Sequence, residues 1–257
     1  MPMDRFGPDE LTVDGFLGGR LRIAQPRAGY RAAMDPVLLA AACPAQAGQS
    51  VLELGCGAGV ASLCLGWRVS GLAQSGVELQ PAYADLARRN AAENGIALEV
   101  IEGDLAQMPA DLRARSFDHV IANPPYFGPE DGTPAADPGR ERAQREATPI
   151  SAWLDAGLRR LKPEGRITLI QQADRLADLL AGLHGRTGAI TVLPIAPRTG
   201  RAARRVIVTA RKGARTPLQL LAPLILHSAP VHSRDAEDLT DIAREILREG
   251  QKLPIPR

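Results

Sequence analysis

The 257-residue chain is poor in aromatic residues, cysteine, histidine and lysine: Phe, Tyr and Trp together make 4%, beside three Cys, four His and three Lys. Cys43, Cys56 and Cys64 are odd in number and lack metal-ligand spacing, which excludes a disulfide frame and reads as reduced thiols. His119, His184, His227 and His232 form no ligand-spaced cluster, so no metal is expected. No stretch approaches the roughly 18 uninterrupted apolar residues of a membrane helix. The N-terminus has no apolar core of a secretory signal. A cytoplasmic protein with no membrane contact is the expectation. An apolar content of 45% excludes a disordered chain.

Acidic residues are missing from one region. Residues 179–234 hold nine basic side chains and no carboxylate, whereas the whole chain is at +2. Arg198, Arg201, Arg204, Arg205, Arg211 and Lys212 fall in this stretch, a candidate footprint for the phosphates of a polyanion. A solvated basic face would look the same. No aromatic residue interleaves it, so it offers no stacking platform of its own.

What is present is an alternation of strands and helices. Gly18-Gly19 separates two short strand patterns, a small hairpin ahead of the main domain. Asp35-Pro36 reads as an N-cap and first helical residue, and Thr148-Pro149 as a second such start. Strands are expected at Ser50–Leu54, around Val77, at Leu98–Ile101, Phe117–Ala122, Arg166–Ile170, Ala189–Leu193 and Val206–Ala210. Helices are expected between them and at Asp238–Glu249, with a long loop over 128–147. The pattern is that of an α/β, doubly wound, mostly parallel seven-stranded sheet. The division is an N-terminal extension over 1–45, a main domain over 46–215 and a C-terminal extension over 216–257. Such sheets bind ligands at the carboxyl ends of their strands.

Two motifs sit there. In Val51-Leu-Glu-Leu-Gly55-Cys-Gly57-Ala-Gly59, a buried strand runs into a glycine turn and a helix, so backbone can approach a nucleotide-like ligand. The spacing is not the G-x-G-x-x-G of dinucleotide sites. Glu53, near the strand end, suits an ammonium group and opposes a pyrophosphate. Glu78 and Asp104 stand at the ends of the next two strands. In Ala122-Asn123-Pro124-Pro125-Tyr126-Phe127, two prolines fix the backbone and remove two donors. The Asn123 Oδ1 and the Pro124 carbonyl then suit a planar NH2 group, whose two N–H bonds require two acceptors. A rigid post-strand turn would use the same residues.

The glycine turn with its three acids resembles the S-adenosylmethionine loop of class I methyltransferases. The resemblance implies that Glu53, Gly55, Gly57, Gly59, Glu78, Asp104 and Asn123 hold S-adenosylmethionine, Glu78 at the ribose and Asp104 at the adenine. Asn-Pro-Pro-Tyr is the signature of amino-group methyltransferases, with Asn123, Pro124 and Tyr126 as catalytic residues. The chain as a whole resembles the bacterial tRNA1(Val) adenine-N6 methyltransferase family. The similarity includes Gln25 through Leu39, Gly76 through Pro81, Arg142 through Glu146 and the basic segment after Pro197. It implies tRNA as partner, with Asp35, Pro125, Phe127 and the six basic residues toward the RNA. Asp35 has a sufficient role as a helix cap. A guanine-N2 rRNA methyltransferase and a protein-glutamine N5 methyltransferase share the chemistry and stand as alternatives. Trp153 is expected to pack its helix, and His119 to be structural or solvent-facing.

Overall fold

Residues that alternate along the central strands serve the two larger cores, which is how the sheet divides the molecule. In a computed structural model that describes residues 5–125, 148–229 and 238–255, Val51 and Ile121 face one cluster. Their neighbours Leu52 and Val120 face the other, as the period of two in a strand requires.

The elements, in chain order, begin with β1 (Leu11–Phe16), β2 (Leu21–Pro26), α1 (Asp35–Ala42), β3 (Ser50–Leu54) and α2 (Val60–Arg68). Then come β4 (Ala73–Glu78), α3 (Pro81–Glu93), β5 (Glu99–Glu102), α4 (Ala110–Arg113) and β6 (Phe117–Ala122). After the second described segment starts come α5 (Ile150–Arg160), β7 (Leu161–Gln172), α6 (Leu176–Leu183), β8 (Thr187–Ala196) and β9 (Arg205–Lys212). Two short strands, β10 (Gln219–Leu220) and β11 (Leu224–Ile225), precede α7 (Asp241–Glu249).

The sheet order is β10-β8-β9-β7-β6-β3-β4-β5, with β11 also on β8. All pairings are parallel except those of β9, which runs against β7 and β8. The seven expected strands are therefore present, and β10 and β11 extend the sheet to nine. The first cluster lies under α1, α2, the hairpin and α7; the second lies under α5 and α6. Among the described residues no helix is long and apolar enough to cross a membrane.

The β1–β2 hairpin docks through two asparagines one helical turn apart, Asn90 in α3 and Asn94 at its C-cap. Asn90 exchanges hydrogen bonds with the main chain of Ala24, accepting from its N–H at 2.8 Å and donating to its carbonyl at 3.0 Å. Asn94 does the same with Arg22, at 2.9 and 2.8 Å. Asn90 also donates to the carbonyl of Ala58, inside the glycine turn.

Three boundaries differ from the sequence reading. Asp35 is the first residue of α1 rather than its cap, because its carboxylate is engaged elsewhere. Pro149, not Thr148, occupies the cap position of α5. The last helix begins at Asp241, where the Thr240 hydroxyl accepts from the Ala243 N–H. Its far end is fixed by Trp67, which lies against Gly250 and under the Arg20 guanidinium.

Candidate functional site

Four parallel strands, β3, β4, β5 and β6, deliver Glu53, Glu78, Asp104 and Asn123 to one edge of the sheet. The turn after β3 is built on left-handed backbone: Gly55, Gly57 and Gly59 have φ of 61°, 53° and 85°. At Gly55 space is also limiting, since a Cβ there would lie 2.5 Å from the Trp153 ring. Trp153 is buried on α5 and closes the turn from behind, so its role is packing. Cys56 is buried against Gly76.

Glu53 is 4% exposed. Its Oε2 accepts from the Ser62 N–H at 3.0 Å and from the Ser62 hydroxyl, while Oε1 has no protein partner among the described residues. Burial, opposed by the Ser62 bonds and reinforced by Glu78, pushes its carboxyl up to about 8. Glu78 is also held above its ordinary range by burial. It accepts from the Gly57 N–H at 2.8 Å and the Gln80 N–H at 2.9 Å, which ties the glycine turn to β4. Leu79, next to it, is 60% exposed, an apolar face that sequence patterning did not single out. Asp104 accepts from the Ala106 N–H at 2.8 Å and so caps a 3-10 turn.

At the end of β6, Asn123 Oδ1 is buried without a hydrogen-bond partner among the described residues, while its Nδ2 lies 3.5 Å from the Tyr30 hydroxyl. Such an orphaned acceptor costs roughly 1–3 kcal/mol of desolvation and marks a place for a donor. The Pro124 carbonyl is not a free acceptor as the sequence suggests. It already receives the Gln171 Nε2 at 3.2 Å, which also reaches the Pro125 carbonyl at 3.3 Å. Tyr30 and Gln171 were missed as site residues. Tyr30 lay in a family-like segment, whereas nothing local distinguishes Gln171 within its strand. Tyr126 and Phe127 lie outside the described residues.

The basic residues do not form one continuous track. Arg198, Arg201, Arg204 and Arg205 sit in or beside the β8–β9 turn, at the same edge as Asn123. Because β9 is antiparallel, Arg211 and Lys212 lie at the opposite edge, paired with Arg166 and Thr187. That is roughly 20 Å away at about 3.3 Å per residue. Most of the six also have protein partners. Arg205 pairs with the buried Asp35 at 2.7 Å, so Asp35 anchors β9 rather than facing solvent. Burial raises the Asp35 carboxyl, and Arg205 opposes that shift. Arg198 bonds Asp238 and the Ala229 carbonyl. Arg211 meets Glu164 at 3.2 Å, and Lys212 donates to the Leu158 and Leu161 carbonyls. Arg201 and Arg204 are exposed and form no ion pair among the described residues.

His119 is buried, bonded through Nε2 to Gln49 Oε1 at 2.9 Å, and burial lowers it to about 4. It is structural. Among the described residues no group of three or more His, Cys, Asp or Glu could hold a metal.

Residues 34–186 match the model of the methyltransferase small domain. The tRNA1(Val) (adenine(37)-N6)-methyltransferase of Porphyromonas gingivalis is 32% identical over 178 residues, 66% of this chain and 69% of that protein. The protein of the same description from Dickeya chrysanthemi is 29% identical over 217 residues, 82% and 85% of the two chains. A crystal structure from Agrobacterium tumefaciens, described as a predicted O-methyltransferase, superposes with a TM-score of 0.68 at 26% identity. It covers 85% of this chain and 97% of that one. The Thermus thermophilus 16S rRNA N2 G1207 methyltransferase, solved with S-adenosylmethionine and guanosine, shares the fold at TM-score 0.52 and 18% identity. It covers 79% and 50%.

Proposed function

The chain belongs to the methyltransferase small domain family and to that of the tRNA1(Val) (adenine(37)-N6)-methyltransferases, and from this premise we propose that it methylates the N6 amine of an adenine beside a tRNA anticodon. It is an S-adenosylmethionine-dependent methyltransferase. The observation that carries the amine reading is the buried Asn123 Oδ1 at the end of β6, unpartnered among the described residues. An alcohol has one proton to place, whereas an Oδ1 and a carbonyl side by side match the two N–H bonds of an amine.

The residues present fit S-adenosylmethionine. The glycine turn admits close backbone approach, Glu53 keeps one carboxylate oxygen without a partner among the described residues, and Glu78 and the exposed Leu79 flank the turn. When bound, the cofactor supplies an electrophilic methyl on a sulfonium. Asn123 and Pro124 hold both amine hydrogens, which draws the nitrogen lone pair out of conjugation with the ring and points it at the methyl. Positioning and fixed dipoles supply the acceleration, and no strong base is required because the proton leaves after charge develops on nitrogen. Tyr126 and Phe127, next in sequence, are assigned to stack on the base. Arg201 and Arg204 are assigned to RNA phosphates, with the enzyme working beside its tRNA in the cytoplasm.

Glu53 gives a pH dependence. With a carboxyl near 8 in the free protein, binding an ammonium requires Glu53 to lose its proton. An ordinary α-ammonium titrates at about 7.7–8.0. Cofactor affinity should therefore rise with pH below about 8 and fall above it, measured by calorimetry. Glu53→Gln should flatten the acid limb. The same shift is a stability statement: the folded chain holds a proton that the unfolded chain releases near 4.5. Stability of the free protein should thus decline as pH rises from about 4.5 to 8.

Arg201→Glu with Arg204→Glu should weaken tRNA binding and reduce the slope of log K against log salt by about 1 per lost phosphate contact, with cofactor affinity unchanged. Unaltered tRNA affinity would remove the β8–β9 turn from the RNA footprint.

The test of the reaction is methyl transfer from labelled S-adenosylmethionine to unmodified tRNA, ribosomal RNA and a protein extract, with mass spectrometry of the digests. N6-methyladenosine in tRNA alone is the expected product. Methylguanosine in ribosomal RNA, or methylglutamine in protein, would overturn the substrate.

A further inference from the structure

An asparagine amide is nearly symmetric in shape, and a half-turn about its last bond exchanges acceptor for donors. Turned the wrong way, Asn123 would oppose NH2 with NH2. The prolines that follow have no N–H of their own with which to anchor the turn. Something outside the motif has to set the direction of both acceptors. We propose that Tyr30 and Gln171 are positioning residues that hold the Asn123 and Pro124 oxygens toward the substrate amine. This rests on the amine-methylation reading above.

Tyr30 comes from the segment between β2 and α1, 93 positions from Asn123. The segment is held in place: the Tyr83 hydroxyl donates to the Tyr30 carbonyl at 3.0 Å. Gln25 clamps Ala32 through its N–H at 2.7 Å and its carbonyl at 3.1 Å. The Tyr30 hydroxyl faces Asn123 Nδ2 at 3.5 Å, long for a hydrogen bond. A hydroxyl can donate as well as accept, so its own direction matters. Burial keeps the phenol protonated. Its oxygen lone pairs can accept from the Asn123 NH2 while its hydrogen is directed elsewhere. Oδ1 then faces away from Tyr30, and it is the atom found without a partner.

Gln171 is 1% exposed in β7. Its own orientation is fixed, because Oε1 accepts from the Gln172 N–H at 2.7 Å. Its NH2 therefore has to face the prolines, where it bridges the Pro124 and Pro125 carbonyls. One NH2 shared between consecutive carbonyls sets the two peptide planes, and a second lone pair of the Pro124 oxygen is left for the amine.

The experiment measures single-turnover methyl transfer to unmodified tRNA, beside the affinities for S-adenosylmethionine and tRNA. Tyr30→Phe and Gln171→Met should each slow transfer roughly 10- to 100-fold, the scale of a misplaced reacting group, with both affinities within about twofold. In the Asn123→Ala background, Tyr30→Phe should add less than about twofold, since it acts through a side chain no longer there. Should Gln171→Met fail to fold, Gln171→Glu serves: only its protonated carboxyl can donate to the prolines, so its rate relative to wild type should recover as pH falls. An unimpaired Tyr30→Phe enzyme, a penalty carried over in full into the Asn123→Ala background, or a pH-independent Gln171→Glu ratio would each overturn the proposal. If Asn123→Ala itself retained wild-type transfer, the amine-holding reading would fall instead.

Discussion

Asn123→Ala should lower kcat by at least about a thousandfold, some 4 kcal/mol of transition-state stabilisation, with cofactor affinity nearly unchanged. The size follows from what the side chain is placed to do: its Oδ1 has no partner among the described residues and is placed to engage an arriving amine. The same fact gives an opposite expectation for stability. Deleting a buried, unsatisfied acceptor removes a desolvation cost of roughly 1–3 kcal/mol, so the melting temperature of the variant should hold or rise. Activity lost with stability gained is the mark of a functional group at odds with its folded surroundings. A variant that lost both would show Asn123 to be a structural residue, and full activity would remove the mechanism.

Gly55→Ala should be the most damaging single methyl in the site. Left-handed backbone costs a non-glycine residue about 1–2 kcal/mol, and here the new Cβ would also lie 2.5 Å from the Trp153 ring. Trp153 is buried in the second core and cannot swing away without strain, which adds roughly 1–3 kcal/mol. Cofactor affinity should fall at least about 100-fold, because the turn that cradles the ligand has to move. Gly95→Ala is the control. Its φ of 62° is similar, yet among the described residues no atom stands within 4 Å of its Cβ position, so it should show the backbone cost alone and normal cofactor binding. Trp153→Leu in the Gly55→Ala background should restore part of the loss. Equal behaviour of the two glycine variants would mean that close packing at Gly55 is irrelevant.

The parts of the site legible in the sequence are those governed by short-range rules. Glu53, Glu78, Asp104 and Asn123 each stand at or beside a strand end followed by turn residues, and parallel strands deliver such ends to one edge. The glycine turn is legible because glycine alone adopts left-handed backbone without a steric cost. Contacts between distant positions are not encoded that way. Asp35 reads as a cap from its neighbour Pro36, yet its carboxylate is taken by Arg205, 170 positions on. The donor on Pro124 comes from a glutamine 47 positions on, in a strand with no local sign of function. The run of cations misleads for a topological reason. A strand reversed in the sheet sends Arg205 to the site and Arg211 to the opposite edge, and a one-dimensional charge count carries no direction.

The asparagine pair at the end of α3 has a consequence for solubility. A two-stranded hairpin standing apart from the main sheet leaves a strand edge open, the kind of surface that recruits a second chain into a growing sheet. On β2 the outward-facing main-chain groups are closed off in turn: Asn94 takes both at Arg22 and Asn90 takes both at Ala24. Pro26 has no N–H to offer, and its carbonyl receives the Arg31 guanidinium. Side chains thus occupy the place of a third strand without extending the sheet, and α3 blocks sheet growth by this edge.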